Sequence, residues 1–207
     1  MEGKQKHQGN WKRFIIFTFI IGLVVGFFSV RSDNLPYFGK GMTVSVFEIV
    51  LSYLAVMINS LPIWFIVAMI VGYLFGRNIK EGILLGAIYT VIAITLYFVI
   101  GNFYEDTQIP LSFKEQIETL AIWYGASIVG GGIGGGVGFL YKKTPYVLLI
   151  LLLGLILQLF VNGAGSWSDI VRVAQNVTFC LMIVGIICLL MIVKRTTRET
   201  DEFSRSL

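Results

Sequence analysis

Charge is what this sequence has least of. Asp, Glu, Lys and Arg make up 14% of its 207 residues, against 56% that are hydrophobic. An ordinary soluble domain carries about a quarter charged residues, so the balance points to a membrane protein. The net charge is +4, but the basic residues are scattered or gathered at segment ends. With no basic patch on a fold that would carry one, no nucleic-acid partner is read. Histidine is nearly absent too. The one histidine, His7, lies in the polar N-terminal tail, so no Ser–His or Cys–His pair can form among the apolar segments. Gly125-Ala126-Ser127-Ile128 has the Gly-x-Ser look of rhomboid proteases without the histidine partner. No His, Asp or Glu cluster has metal-ligand spacing, and no paired acidic motif of the prenyl-peptidase kind is present. The chain therefore reads as a non-enzyme with no cofactor and no metal. The two cysteines, Cys180 and Cys188, share one apolar run. On a helix they stand about 12 Å apart along the axis, too far for a disulfide, and they read as small buried apolar residues.

What the sequence has is long apolar runs. A spanning helix needs about 20 mostly apolar residues. Six stretches qualify: Phe14–Val30, Leu61–Gly76, Gly82–Gly101, Ile117–Leu140, Pro145–Val161 and Val171–Val193. A seventh, Val44–Asn59, is shorter and contains Glu48. Basic residues favour the cytoplasmic side of a membrane. If the seventh stretch does not span and the N-terminus is cytoplasmic, twelve basic residues fall inside: Lys4, Lys6, Lys12, Arg13, Arg77, Lys80, Lys142, Lys143, Lys194, Arg195, Arg198 and Arg205. Four fall outside: Arg31, Lys40, Lys114 and Arg172. If the seventh stretch spans, the later loops flip and the count becomes six inside against ten outside. The expectation is an all-α membrane protein forming one domain, with six transmembrane helices and both termini cytoplasmic. Val44–Asn59 then becomes a short interfacial or re-entrant helix on the outer face, where Glu48 avoids the hydrocarbon core. The first helix has a basic flank but no small-residue cleavage site, so it reads as uncleaved. Residues 1–10 and 196–207 read as polar and loose.

Tyr124–Lys143, YGASIVGGGIGGGVGFLYKK, is the richest segment in glycine. Stepping about 100° per residue from Gly130, Gly134, Gly138, Gly131, Gly135, Gly132 and Gly136 fall at roughly 40, 80, 100, 140, 200 and 240°. Val129, Leu140, Ile133 and Val137 keep to a stripe from roughly 260 to 340°. A phosphate-binding loop needs a preceding strand or a Gly-Lys-Ser/Thr ending, and neither is present. The pattern fits a helix whose glycines let neighbouring backbones approach, or else a helix broken at mid-membrane to line a site. Gly22 and Gly26, Gly72 and Gly76, and Gly82 and Gly86 repeat the four-residue spacing in the first three spans. Together they predict a compact, glycine-rich bundle around the fourth span. Val71–Arg77 (VGYLFGR) and Val137–Lys143 (VGFLYKK) also resemble each other. They read as related helix ends or as a repeated hairpin.

Polar residues collect toward the outer ends of the spans. Glu48 and Asn59 lie on the extra helix, Trp123 and Tyr124 on the fourth span, and Gln158, Arg172, Gln175 and Asn176 on the last two. They are the candidate ligand-binding residues of an outer vestibule, or else members of ordinary interfacial belts and interhelical hydrogen bonds.

INSLPIWFIVAMIVGYLFGRNIKEGILLGAIYTVIAI, followed by WYGASIVGGGIGGGVGFLYKK, resembles a family of small bacterial multi-pass membrane proteins classed as a domain of unknown function. Asn59-Ser60, Trp64, Ala68, the Gly72 region, Gly82, Gly86 and the glycine-rich helix carry the resemblance, over roughly residues 55–143. It implies a six-helix bacterial plasma-membrane protein and supplies no catalytic or binding residues. Substrate-capture subunits of vitamin transporters have a similar size and helix count, but their motifs are not matched. Two functions follow as expectations. One is binding or transport of a small or lipidic ligand, as in a transporter subunit. The other is a scaffold or accessory subunit that docks a membrane partner, or a second copy, through glycine faces.

Overall fold

The computed structural model describes residues 2–35, 45–103 and 113–205, with side chains described for 11–35, 45–103 and 113–195. Lys40 and Val44 lie outside the described residues. Seven α-helices follow in order among the described residues: α1 Glu2–Asp33, α2 Val46–Ile58, α3 Leu61–Phe75, α4 Ile79–Gly101, α5 Phe113–Tyr141, α6 Leu148–Asn162 and α7 Ile170–Arg205. Short 3₁₀ turns, Pro145–Val147 and Ala164–Trp167, sit on either side of α6.

Local chemistry sets the helix starts. Ser45 and Glu48 form a reciprocal capping box on α2. Pro62 stands in the first turn of α3, where its missing N–H costs nothing. The Asn78 side chain accepts from the Glu81 N–H at 2.9 Å and opens α4. Gly163, at φ 65°, ends α6 in a conformation that only glycine adopts without strain.

Helices α1, α4, α5, α6 (with its leading turn) and α7 are long and apolar enough to cross a membrane. The expected second span is different. α3 has 15 residues, about 22 Å, short of the ~30 Å hydrocarbon core. It joins α2 through a 63° bend, and the two together make either a sixth, broken span or a re-entrant pair. The break falls at Asn59-Ser60, where the sequence separated the two stretches. The expected loose tails differ as well: α1 runs back to Glu2 and α7 on to Arg205. Both tails are rich in Glu, Lys, Arg and Gln, good helix formers, and each extends a helix whose nucleation is already complete.

α5 is the hub, with α4 and α3 against it and α1 against α4. The glycine arc is used face by face. A methyl group at Gly131 or Gly135 would collide with α4 at Gly86 and Gly82, and one at Gly134 would lie 2.8 Å from the Ala68 Cβ on α3. A methyl at Gly138 would land on the Met69 carbonyl, one at Gly72 on the Gly135 carbonyl, and one at Gly86 on the Gly131 carbonyl. These helices touch backbone to backbone. Thr90, on the same seam, donates to the Ser127 carbonyl at 2.6 Å. Gly22 and Gly26 bring α1 onto Ala93, Leu96 and Tyr97 of α4. Gly76 closes the α3–α4 turn against Gly82. Gly130 departs from this pattern, with nothing within 4 Å of a methyl placed there, because it lies at the outward edge of the arc. Val137 departs in the other direction. It is buried beside Met69, Leu151 and Phe179, while Val129 and Ile133 of the same stripe face outward.

The contacts fix the helix directions. α1 and α4 run parallel, as do α3 and α5, and the two pairs are antiparallel to each other. Gly72 meets Gly135, which is three residues before Gly138; Gly138 meets Met69, which is three residues before Gly72. Gly72 and Gly138, at equivalent positions of the two similar stretches, thus each meet the residue three positions before the other, a local pseudo-twofold relation between α3 and α5. The N-terminal end of α1, the C-terminal end of α7, the Arg77–Lys80 turn and the Lys142-Lys143 turn all lie at one end of the bundle. There Lys142 donates to the Gly76 carbonyl at 2.6 Å and sits over the Tyr73 and Phe139 rings.

α6 and α7 are attached more loosely. Only 11% of each candidate span is buried, against 33–39% for α1, α4 and α5. Cys180 and Cys188 are exposed on α7 rather than buried, since this helix buries only the stripe that faces α2 and α6.

Candidate functional site

At the end opposite the basic turns, α1 stops at Asp33, α2 at Ile58, α6 at Asn162, and α7 begins. These ends surround a half-open cleft of about 480 Å³. Ser32, Asp33 and Leu35 line it from α1, Val56 from α2, Asn162 and Ser166 from the α6–α7 connection, and Asp169, Val171, Arg172 and Gln175 from α7.

The walls are hydrogen-bonded chains of side chains. Gln158 donates to Asn162 at 2.8 Å, Asn162 to Asn176 at 2.7 Å, Asn176 to Ser166 at 2.7 Å, and Ser166 to the Gly163 carbonyl at 2.7 Å. Asn162, Asn176 and Ser166 each donate to one neighbour and accept from another, an arrangement in which successive bonds polarise one another. Asn176 is fully buried, so its partners are what make its burial tolerable. On the facing wall, Gln175 donates to the Val56 carbonyl at 2.9 Å, an acceptor left free by the end of α2. Tyr53 and Thr178 join α2 to α7 at 2.8 Å. Asp33 accepts from Asn59 at 2.9 Å and from Tyr97 at 2.7 Å, which ties α1 to α2 and α4. Asp169 accepts from the Val171 and Arg172 N–H groups and caps α7.

Several candidate residues from the sequence meet here. Arg172 and Gln175 line the cleft, Gln158 and Asn176 stand behind its wall, and Asn59 holds Asp33. Three do not. Glu48 is spent on the α2 cap, receiving from the Ser45 N–H at 3.0 Å. Tyr124 bonds Thr95 at 2.9 Å and packs on Phe98, and Trp123, half exposed, is on the same turn of α5, outside the cleft lining. None of the three lines the cleft. Sequence reasoning missed Asp33 and Ser166. Asp33 carried one signal, an acidic residue at the C-terminal end of a span, where the helix dipole disfavours it. Ser166, within Gly-Ala-Gly-Ser-Trp, reads only as a turn.

Among the described residues no group of three or more His, Cys, Asp or Glu is placed to hold a metal ion. No family model, no curated protein and no solved structure matches the chain.

Proposed function

We propose that this is a non-enzymatic integral membrane protein that binds a small or lipidic ligand in the cleft between α1, α2 and α7, by itself or as a subunit of a transporter. The observation that carries the reading is the cleft. It is large enough for a small solute or a headgroup, and helix ends from both halves of the chain build it. Polar groups whose own bonds are satisfied hold its walls in shape. In a bacterial plasma membrane the basic end would face the cytoplasm, by the asymmetry of twelve basic residues to four, and the cleft would open outward. Bacterial origin rests on the resemblance of residues 55–143.

Docking to a partner through the glycine faces is less favoured. Gly72, Gly82, Gly86, Gly131, Gly134, Gly135 and Gly138 are already covered by helices of the same chain, so they offer no surface.

The test is occupancy. The protein is extracted in mild detergent, and co-purifying lipids and small molecules are measured by mass spectrometry, for the wild type and for Ser32→Trp, which fills the cleft from its α1 wall. A species enriched on the wild type and depleted at least tenfold on the variant is the expected result. Identical spectra from two equally folded proteins would remove the cleft as a binding site.

A further inference from the structure

The cleft carries opposite charges that do not pair. Arg172 and Asp33 both line it, yet Asp33 spends its two oxygens on the neutral donors Asn59 and Tyr97. No hydrogen bond or ion pair among the described residues occupies the Arg172 guanidinium; the ion pairs found are Arg77–Glu81 and Lys114–Glu118. Both charges also stand against their helix dipoles. Asp33 is the last residue of α1, where the carbonyl end is already negative, and Arg172 is in the first turn of α7, where the N–H end is already positive. Each helix end therefore reinforces the charge it carries, although Asp169 offsets part of the positive one and Arg31, in the last turn of α1, part of the negative one. The outcome is a cleft with a negative pole on α1 and a positive pole on α7.

Resting on the cleft reading above, we propose that the ligand is a zwitterion, with an oxyanion held by Arg172 and an ammonium group held near Asp33. A guanidinium matches the planar oxygens of a phosphate or carboxylate through paired N–H bonds. A bare anion would face two carboxylates, Asp33 and Asp169, and a bare cation would face Arg172. A molecule with both groups meets neither penalty. The same chemistry occurs in an aminoalkyl phosphate free in solution and in the headgroup of an aminophospholipid.

The experiment uses the full chain. Binding of O-phosphoethanolamine is measured in detergent by thermal stabilisation and calorimetry, beside inorganic phosphate and ethanolamine as its two halves. Thermal stability is also compared in nanodiscs of phosphatidylethanolamine and of phosphatidylglycerol. The joined molecule is expected to bind at least tenfold more tightly than either half. Arg172→Gln and Asp33→Asn should each weaken it at least tenfold. Tyr97→Phe, which keeps the Asp33 charge and removes one of its donors, should retain binding. Stabilisation by phosphatidylethanolamine discs alone identifies a lipid, stabilisation by the free compound identifies a solute, and either supports the assignment. If phosphate alone binds as well as phosphoethanolamine, the cleft remains a site and the zwitterion is wrong. If no probe binds, the zwitterion is equally wrong, and a Ser32→Trp variant that also loses no co-purified species removes the cleft itself.

Discussion

The two halves of this bundle are held together by different physics. α1, α3, α4 and α5 touch through glycine, with backbone against backbone; Thr90 is the polar side chain inside the glycine seam, and Tyr124–Thr95, Tyr97–Asp33 and Lys142–Gly76 lie toward its ends. α2, α6 and α7 share the apolar cluster of Met57, Leu151, Leu155 and Phe179 and are linked besides by amide and hydroxyl side chains, with Gln158, Asn162, Asn176 and Ser166 in one row and Gln175 and Tyr53 joining α7 to α2. In a bilayer there is no water to expel between helices, so close packing and hydrogen bonds are the available forces. Glycine packing is intolerant of added volume but needs no directional bond. Side-chain hydrogen bonds tolerate looser packing and leave room between helix ends. The cleft lies where a helix of the close-packed half, α1, meets the polar-linked half, and this division places a cavity beside a rigid support.

The sharpest way to break the comparison is to add volume in the glycine seam. Gly72→Ala places a methyl on the Gly135 carbonyl and should cost about 3 kcal/mol or more, as overpacking of a tight interior does. Denaturant titration of the purified protein measures it, and Gly72→Leu should give no folded material. Next comes Asn176→Leu, which removes the link between Asn162 and Ser166. It should cost about 2 kcal/mol, the penalty of leaving buried polar partners unmade, and the binding proposed for the cleft should weaken along with its wall. Gln175→Leu frees one acceptor, the Val56 carbonyl, and is expected to cost about 1 kcal/mol. Its clearer signature is faster hydrogen exchange at the C-terminal end of α2. The smallest effect belongs to Gly154→Ala on α6, where nothing lies within 4 Å of the new methyl. Stability should stay within about 0.5 kcal/mol of the wild type.

The close-packed half was the more legible in the sequence. Glycines at helical spacing, with the large residues confined to one stripe, already describe a helix with neighbours on several faces. Angular position alone misjudged Gly130 and Val137, because it says which residues share a face and not how far round the neighbours reach. The break between α2 and α3 was legible at Asn59-Ser60, while the shortness of α3 and its bend against α2 depend on tertiary packing. In the polar half, Gln158, Gln175 and Asn176 were visible as amides inside apolar runs, which need partners wherever they lie. Glu48, Trp123 and Tyr124 were grouped with them by depth alone. Depth along a helix can be read from a sequence, but position around the bundle cannot, and the cleft is on the α1–α7 side. Asp33 entered the site only through the fold, which folds the end of the first helix against the start of the last.

The most direct test compares two glycines five positions apart on α5. A methyl at Gly135 would collide with α4, whereas one at Gly130 meets open space. The account predicts that Gly135→Ala lowers unfolding stability by about 3 kcal/mol or more, while Gly130→Ala leaves it within about 0.5 kcal/mol or raises it slightly through helix propensity. Equal effects at the two positions would contradict the glycine-packed half and the division of the bundle built on it.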